Sequence, residues 1–163
     1  MPNKEKRSPI EILLEGNEGL RRGSDEYFAY NRILFNIEGL DDLTGGGVPK
    51  KRITIFTGPS NVGKSYLASQ AVKSVQQEGG LAGWIDAELS WDPQWMEQCG
   101  IDTENVLVAQ PTTGEEAFGL VTALMDQGVD LVVLDSIAGL VPSNVQEEDF
   151  SYNPMAWQAR FVN

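Results

Sequence analysis

One run of sixteen residues constrains this chain more than any other: Arg52 to Leu67, R-I-T-I-F-T-G-P-S-N-V-G-K-S-Y-L. Ile53-Thr54-Ile55-Phe56-Thr57 is β-branched and apolar and predicts a buried strand. Gly58 to Ser65 then fits G-x-x-x-x-G-K-[ST] at every fixed position. Leu67, Ala68, Ala71, Val72 and Val75 follow at the spacing of one buried helical face. Strand, glycine loop and helix in that order make a phosphate cradle. Gly58 and Gly63 free the backbone to bend, so that the N–H groups after Pro59 (those of Ser60, Asn61 and Val62) and those of the first helical turn, through Tyr66, converge on an anion at the positive helix end. Lys64 supplies a point charge for the β- and γ-phosphates, and the Ser65 hydroxyl is a ligand for Mg²⁺. The plainer alternative is a glycine turn with a solvated lysine.

Composition narrows what else the chain does. At 163 residues it has the length of one domain with a real core. It has one cysteine, Cys99, and no histidine, so neither an internal disulfide nor a zinc site of the usual ligands is available. A metal here is held by oxygen, which suits Mg²⁺ with a nucleotide. No apolar run approaches the ~20 residues of a membrane span, and no apolar stretch of signal-peptide length follows the charged start Met1 to Arg7. The expectation is a cytoplasmic protein with no membrane partner. The formal net charge of −12 is the opposite of the basic footprint of a nucleic-acid binder. The clusters Lys4-Lys6-Arg7, Arg21-Arg22 and Lys50-Lys51-Arg52 read as solvated surface.

Along the chain, Ser8-Pro9 opens a weakly amphipathic segment running to Leu20, interrupted by Gly16 and Gly19. Residues 1–32 read as an arm or short helix with a linker, and 33–163 as the core. Thr44-Gly45-Gly46-Gly47-Val48-Pro49 is a turn that delivers the chain to Ile53. Glu78-Gly79-Gly80 ends the helix that follows the loop. Leu81 to Glu88 is a second strand, Asp92 to Cys99 a helix, and Val106 to Ala109 a third strand. Thr113 to Met125 is an amphipathic helix opened by a Thr113/Glu116 capping box. Asp130 to Asp135 is a continuous apolar strand expected to be buried on both faces. Alternating strands and helices predict an α/β fold with a parallel sheet flanked by helices. In such sheets ligands bind at the carboxyl ends of the strands, where Gly58, Glu88 and Asp135 all fall.

Hydrolysis needs more than a cradle. Asp135, closing its apolar strand, is the candidate magnesium-side carboxylate; its alternative is a cap for the next turn. A water activator is offered by Glu88 or by Asp86, two residues back on the same face of an extended strand. Spacing leaves the two open. Trp95, one turn after Asp92, is placed to face a base or to pack.

Taken together these segments resemble a RecA-type recombinase. Ile85-Asp86-Ala87-Glu88 with Asp92-Pro93, Asn105-Val106-Leu107 with Gln110-Pro111-Thr112-Thr113-Gly114-Glu115, and Val133-Leu134-Asp135-Ser136-Ile137-Ala138-Gly139-Leu140-Val141-Pro142 carry the likeness over about residues 33 to 160. The resemblance implies a RecA-like P-loop NTPase that uses ATP and Mg²⁺ and binds single-stranded DNA in recombination and repair. It implies that Glu88 is the catalytic carboxylate beside Lys64, that Ser65 and Asp135 hold the metal, and that Asp92 and Trp95 lie near the adenine. It also implies that Asn144, Gln146, Tyr152 and Asn153 belong to the first DNA-binding loop, although Glu147-Glu148-Asp149 adds negative charge there. In that family the core continues beyond the position of Asn163 with a strand lying between the strand of Ile53 and that of Asp135. The expectation is therefore a sheet incomplete at its C-terminal side, in a chain that is a fragment or a truncated product. A homo-oligomer or filament is implied for the full-length form. The competing reading is a non-catalytic ATP-binding RecA-like accessory or remnant.

Overall fold

The computed structural model describes residues 8–25 and 31–140. The chain divides into two units, Met1–Asn31 and Arg32–Asn163. In the first, α1 (Pro9–Glu15) starts at Ser8, whose hydroxyl accepts from the Glu11 N–H while the Glu11 carboxylate accepts from the Ser8 N–H. This is a reciprocal capping box, with Pro9 at the first helical position. The helix stops at Gly16 and leaves Ile10, Ile12 and Leu13 more than half exposed.

The second unit begins with a short antiparallel pair, β1 (Arg32–Ile33) and β2 (Val48–Pro49), joined through α2 (Leu40–Thr44). Asp41 folds this connection by accepting from the N–H groups of Phe35 and Ile37. Gly47, at φ +88°, passes so close to β1 that a Cβ there would sit 2.1 Å from the Ile33 carbonyl oxygen. Only glycine fits.

The main sheet has three parallel strands: β3 (Ala82–Asp86) in the centre, β4 (Val106–Ala109) on one side and β5 (Leu131–Asp135) on the other. Among the described residues α3 (Lys64–Gln77), α4 (Pro93–Gln98) and α5 (Gly114–Asp126) accompany it. Side chains alternate across β3. Ala82 and Trp84 join Ala68, Ala71, Val72 and Val75 of α3 and Met96 of α4 in one core cluster. Ile85 joins Ala117 of α5 and Leu140 in the other. Covered on both faces and paired on both edges, β3 is buried along its whole length.

The helix after the glycine loop forms where the periodicity predicts. Its end is a Schellman motif: the Gly80 N–H donates to the Val75 carbonyl, the Gly79 N–H to that of Gln76, and Gly79 takes φ +78°. At α5, Thr113 caps as expected by accepting from the Glu116 N–H, but the return bond goes elsewhere. The Glu116 carboxylate accepts from the N–H and hydroxyl of Thr112 instead, which holds it below its ordinary range. The capping box is displaced by one residue.

Two expectations need correction. Residues 53–57 form no strand ladder; Ile53 and Ile55 are 91% and 60% exposed, and Phe56 alone reaches the core, 6.0 Å from the ring of Phe35. The β-branched composition is right for a strand, but among the described residues no neighbour pairs with it, and a ladder needs two sides. For the same reason β5 is half-buried at every position instead of buried on both faces: its one described partner is β3.

Candidate functional site

The glycine loop runs directly into α3. Asn61 and Gly63 take left-handed φ values of +62° and +95°, and Gly63 is the N-cap. Nothing lies within 4 Å of a Cβ built on Gly63, so conformation and not crowding asks for glycine there. No side chain caps the first turn of α3. Its amides and the positive end of a fourteen-residue helix are therefore directed at whatever the loop encloses. Lys64 extends back along the loop, its ammonium donating to the carbonyls of Gly58 and Pro59 at 3.2 and 2.8 Å.

Three of the expected side chains, Ser65, Lys64 and Glu88, lie near enough to Asp135 at the end of β5 to bear on its charge. Burial pushes the Asp135 carboxyl above the usual carboxylate range. The negative charges of Glu88 and Asp86 add to that rise, while a hydrogen bond with the Ser65 hydroxyl and the charge of Lys64 oppose it. The fold thus places Lys64, Ser65, Glu88 and Asp135 in one electrostatic neighbourhood, although they come from three separate segments.

Hydrogen bonding sets Asp86 and Glu88 apart. Asp86 has no exposed surface. One carboxylate oxygen accepts from the N–H and hydroxyl of Ser90, and the other accepts from the Trp91 N–H and the Gln110 amide at 2.9 and 2.8 Å. Burial works to raise this carboxyl, but those donors together hold it below its ordinary range. A carboxylate with both oxygens occupied has nothing left to offer a water molecule. It closes the loop 87–91 instead. Glu88, one residue past the Ala87 N–H bond to the Asp135 carbonyl, is exposed and carries one side-chain partner, the Ser136 hydroxyl.

Asp92 and Trp95 stand on α4, outside the group near Asp135. Asp92 is the N-cap, accepting from the N–H groups of Gln94 and Trp95, and Trp95 is 38% exposed. Trp84 packs edge-on against Trp91 in the core, as its apolar neighbours predict. Asn144, Gln146, Tyr152 and Asn153 lie outside the described residues.

Two contributors carried no assigned role in the sequence reading: Gln110, which anchors Asp86 from the end of the neighbouring strand β4, and Ser136, which reaches Glu88. Both sit immediately after a strand at the carboxyl edge of the sheet, where ligand sites of such folds collect. That placement was the available signal.

Among the described residues no cluster of three or more acidic or sulfur-bearing side chains is set to hold a metal by itself, and no helix is long and apolar enough to cross a membrane. Comparison with known proteins gives a match to the RecA N-terminal domain family over residues 31–163. Protein RecA of Gloeothece citriformis (strain PCC 7424) is 44% identical over 125 residues, which cover 76% of this chain and 35% of that protein. Protein RecA of Trichodesmium erythraeum (strain IMS101) is 37% identical over 169 residues, covering 99% and 47%. Protein RecA of Helicobacter hepaticus (strain ATCC 51449 / 3B1) is 37% identical over 172 residues, covering 100% and 50%. The chain spans between a third and a half of the length of these curated relatives.

Proposed function

The chain belongs to the RecA family, and on that premise we propose that it is the nucleotide-binding part of an ATP-dependent recombinase, acting on single-stranded DNA in recombination and repair. The observation that carries the reading is the glycine loop opening an uncapped α3, with Lys64 lying along it and Ser65 hydrogen-bonded to Asp135. The residues fit the implied Mg²⁺–ATP from both sides. An uncapped helix N-terminus with a lysine beside it suits the phosphates. A hydroxyl hydrogen-bonded to a half-buried carboxylate, with further negative charge nearby, suits a hard cation that takes its remaining ligands from phosphate and water.

Bound Mg²⁺–ATP supplies the phosphoanhydride to be cleaved and the cation that neutralises charge on it. The protein's own part is positional and electrostatic. The loop amides hold the phosphates, and Lys64 leaves its carbonyl partners to face the β- and γ-oxygens. Ser65 and Asp135 would hold the cation, whose charge would offset the cost of ionising the half-buried Asp135. Glu88 accepts the proton of the attacking water at a carboxylate oxygen. Asp92 and Trp95 lie toward the base, and Asn144, Gln146, Tyr152 and Asn153 toward DNA. An oligomer or filament is proposed for the full-length form.

Glu88→Gln tests the reading. Hydrolysis is expected to fall at least tenfold, general-base catalysis being worth ~10²–10⁴, while nucleotide binding is retained. An unchanged rate would sink the assignment. A second reading, a RecA-like module that binds ATP without turning it over, is favoured by the exposed, unladdered segment 53–57 on the approach to the loop. It is distinguished by Mg²⁺–ATP binding with no turnover in the native chain.

A further inference from the structure

Glu88 is an exposed residue just past the end of β3, and its surroundings are specific. The β3–β5 ladder runs one step beyond the paired residues Asp86 and Asp135, through the bond from the Ala87 N–H to the Asp135 carbonyl at 2.8 Å. Past that bond the chains separate. Leu89 turns away with φ +54°, and the segment after β5 closes into a 3₁₀ turn, Ile137–Gly139. At the point of separation the Ser136 hydroxyl donates to Oε1 of Glu88.

The turn that carries Ser136 is seated firmly. The Gly139 N–H donates back to the Ser136 carbonyl at 3.0 Å, and Leu140 is buried in the cluster shared by β3 and α5. Its approach to the β3 end is close: a Cβ built on Gly139 would lie 2.6 Å from the Ala87 carbonyl oxygen and 3.2 Å from Glu88 Cγ. The donor therefore stands on a fixed support, while the acceptor is an exposed side chain with three rotatable bonds.

We propose that Ser136 is a positioning residue for Glu88. Its hydroxyl engages Oε1 and selects one rotamer, so that Oε2 is left to face the water to be activated. The benefit is the removal of rotational freedom at the reacting group, where misplacement by about 1 Å costs up to ~10²-fold in rate. The proposal deepens the catalytic reading of Glu88 and rests on it for its effect on rate.

The test compares the native chain with Ser136→Ala, Ser136→Thr and Glu88→Gln, by steady-state ATP hydrolysis, thermal melting and crystal structures. In Ser136→Ala, kcat is expected to fall about tenfold. KM for Mg²⁺–ATP, the Mg²⁺ concentration giving half the maximal rate and the melting temperature are expected to hold. Ser136→Thr, which keeps the hydroxyl, is expected to restore most of the rate. The Glu88 carboxylate is expected to move in the alanine variant and stay in the threonine variant. An unmoved Glu88 in Ser136→Ala overturns the proposal, as does a threonine variant as impaired as alanine with its hydroxyl still on Oε1. If Glu88→Gln hydrolyses ATP at the native rate, or if the native chain shows no turnover, the catalytic reading is what fails. The positioning claim is then decided by the crystal structures alone, displacement of Glu88 supporting it and an unmoved side chain overturning it.

Discussion

At the scale of single residues, the site turns on the division of labour between two carboxylates two positions apart. Strand alternation puts Asp86 and Glu88 on one face, and no local pattern says which is free. The answer comes from donors far along the chain: Gln110, twenty-four residues on, and the closing of the 87–91 loop back on Asp86. Neither is visible in spacing, which is why the resemblance and not the residues had to choose Glu88. Asp86 consequently behaves as a structural acid. Asp86→Ala leaves the Ser90 and Trp91 N–H groups and the Gln110 amide without their acceptor, at about 1–3 kcal/mol for each buried group left unsatisfied. With partial relaxation, a loss of about 3 kcal/mol at pH 7 is expected by denaturant titration. The pH dependence has a definite sign. The folded carboxyl titrates below its unfolded value of 3.8. Its contribution is therefore complete above that value and is lost as pH falls through the folded one. The native chain and the alanine variant should converge in stability under acid; a constant gap down to the lowest pH at which both fold would contradict the role given to these hydrogen bonds.

At the scale of elements, helices and paired strands were legible in local pattern, while the missing pairing of 53–57 was implied only by the resemblance, through the expected gap beside that strand. The α3 register, its glycine stop, β4 and the N-caps at Ser8, Asp92 and Thr113 all follow from local chemistry: periodicity, side-chain acceptors and positive-φ glycine. Residues 53–57 have the same quality of local signal but no ladder, because a strand is a property of two segments and composition describes one. The half-burial of β5 has the same origin. Since α3 carries both Lys64 and Ser65 at one end and its glycine cap at the other, the two ends should separate by mutation. Gly79→Ala forces a Cβ into φ +78° and is expected to cost about 1–2 kcal/mol. The melt should shift while Mg²⁺–ATP affinity at low temperature stays within about twofold, well under the tenfold that 1.4 kcal/mol would bring. A matching loss of affinity would mean that the helix end and the cradle are not independent.

At the scale of the whole molecule, the family gives the fold, the nucleotide site is the proposal, and the residues proposed to face DNA fall outside the described part of the chain. A net charge of −12 places any phosphate-binding work on a few focused groups and not on a general basic surface. That work falls to one place, the loop from Gly58 to Ser65 and the carboxylate across from it, which we propose binds Mg²⁺–ATP. Calorimetric titration of ATP into the native chain and into Lys64→Ala, with and without Mg²⁺, tests that claim most directly. The expected result is Mg²⁺-dependent binding by the native chain and none by the variant, with both melting at closely similar temperatures. Equal binding by the two proteins, or no binding by a folded native chain, would contradict it.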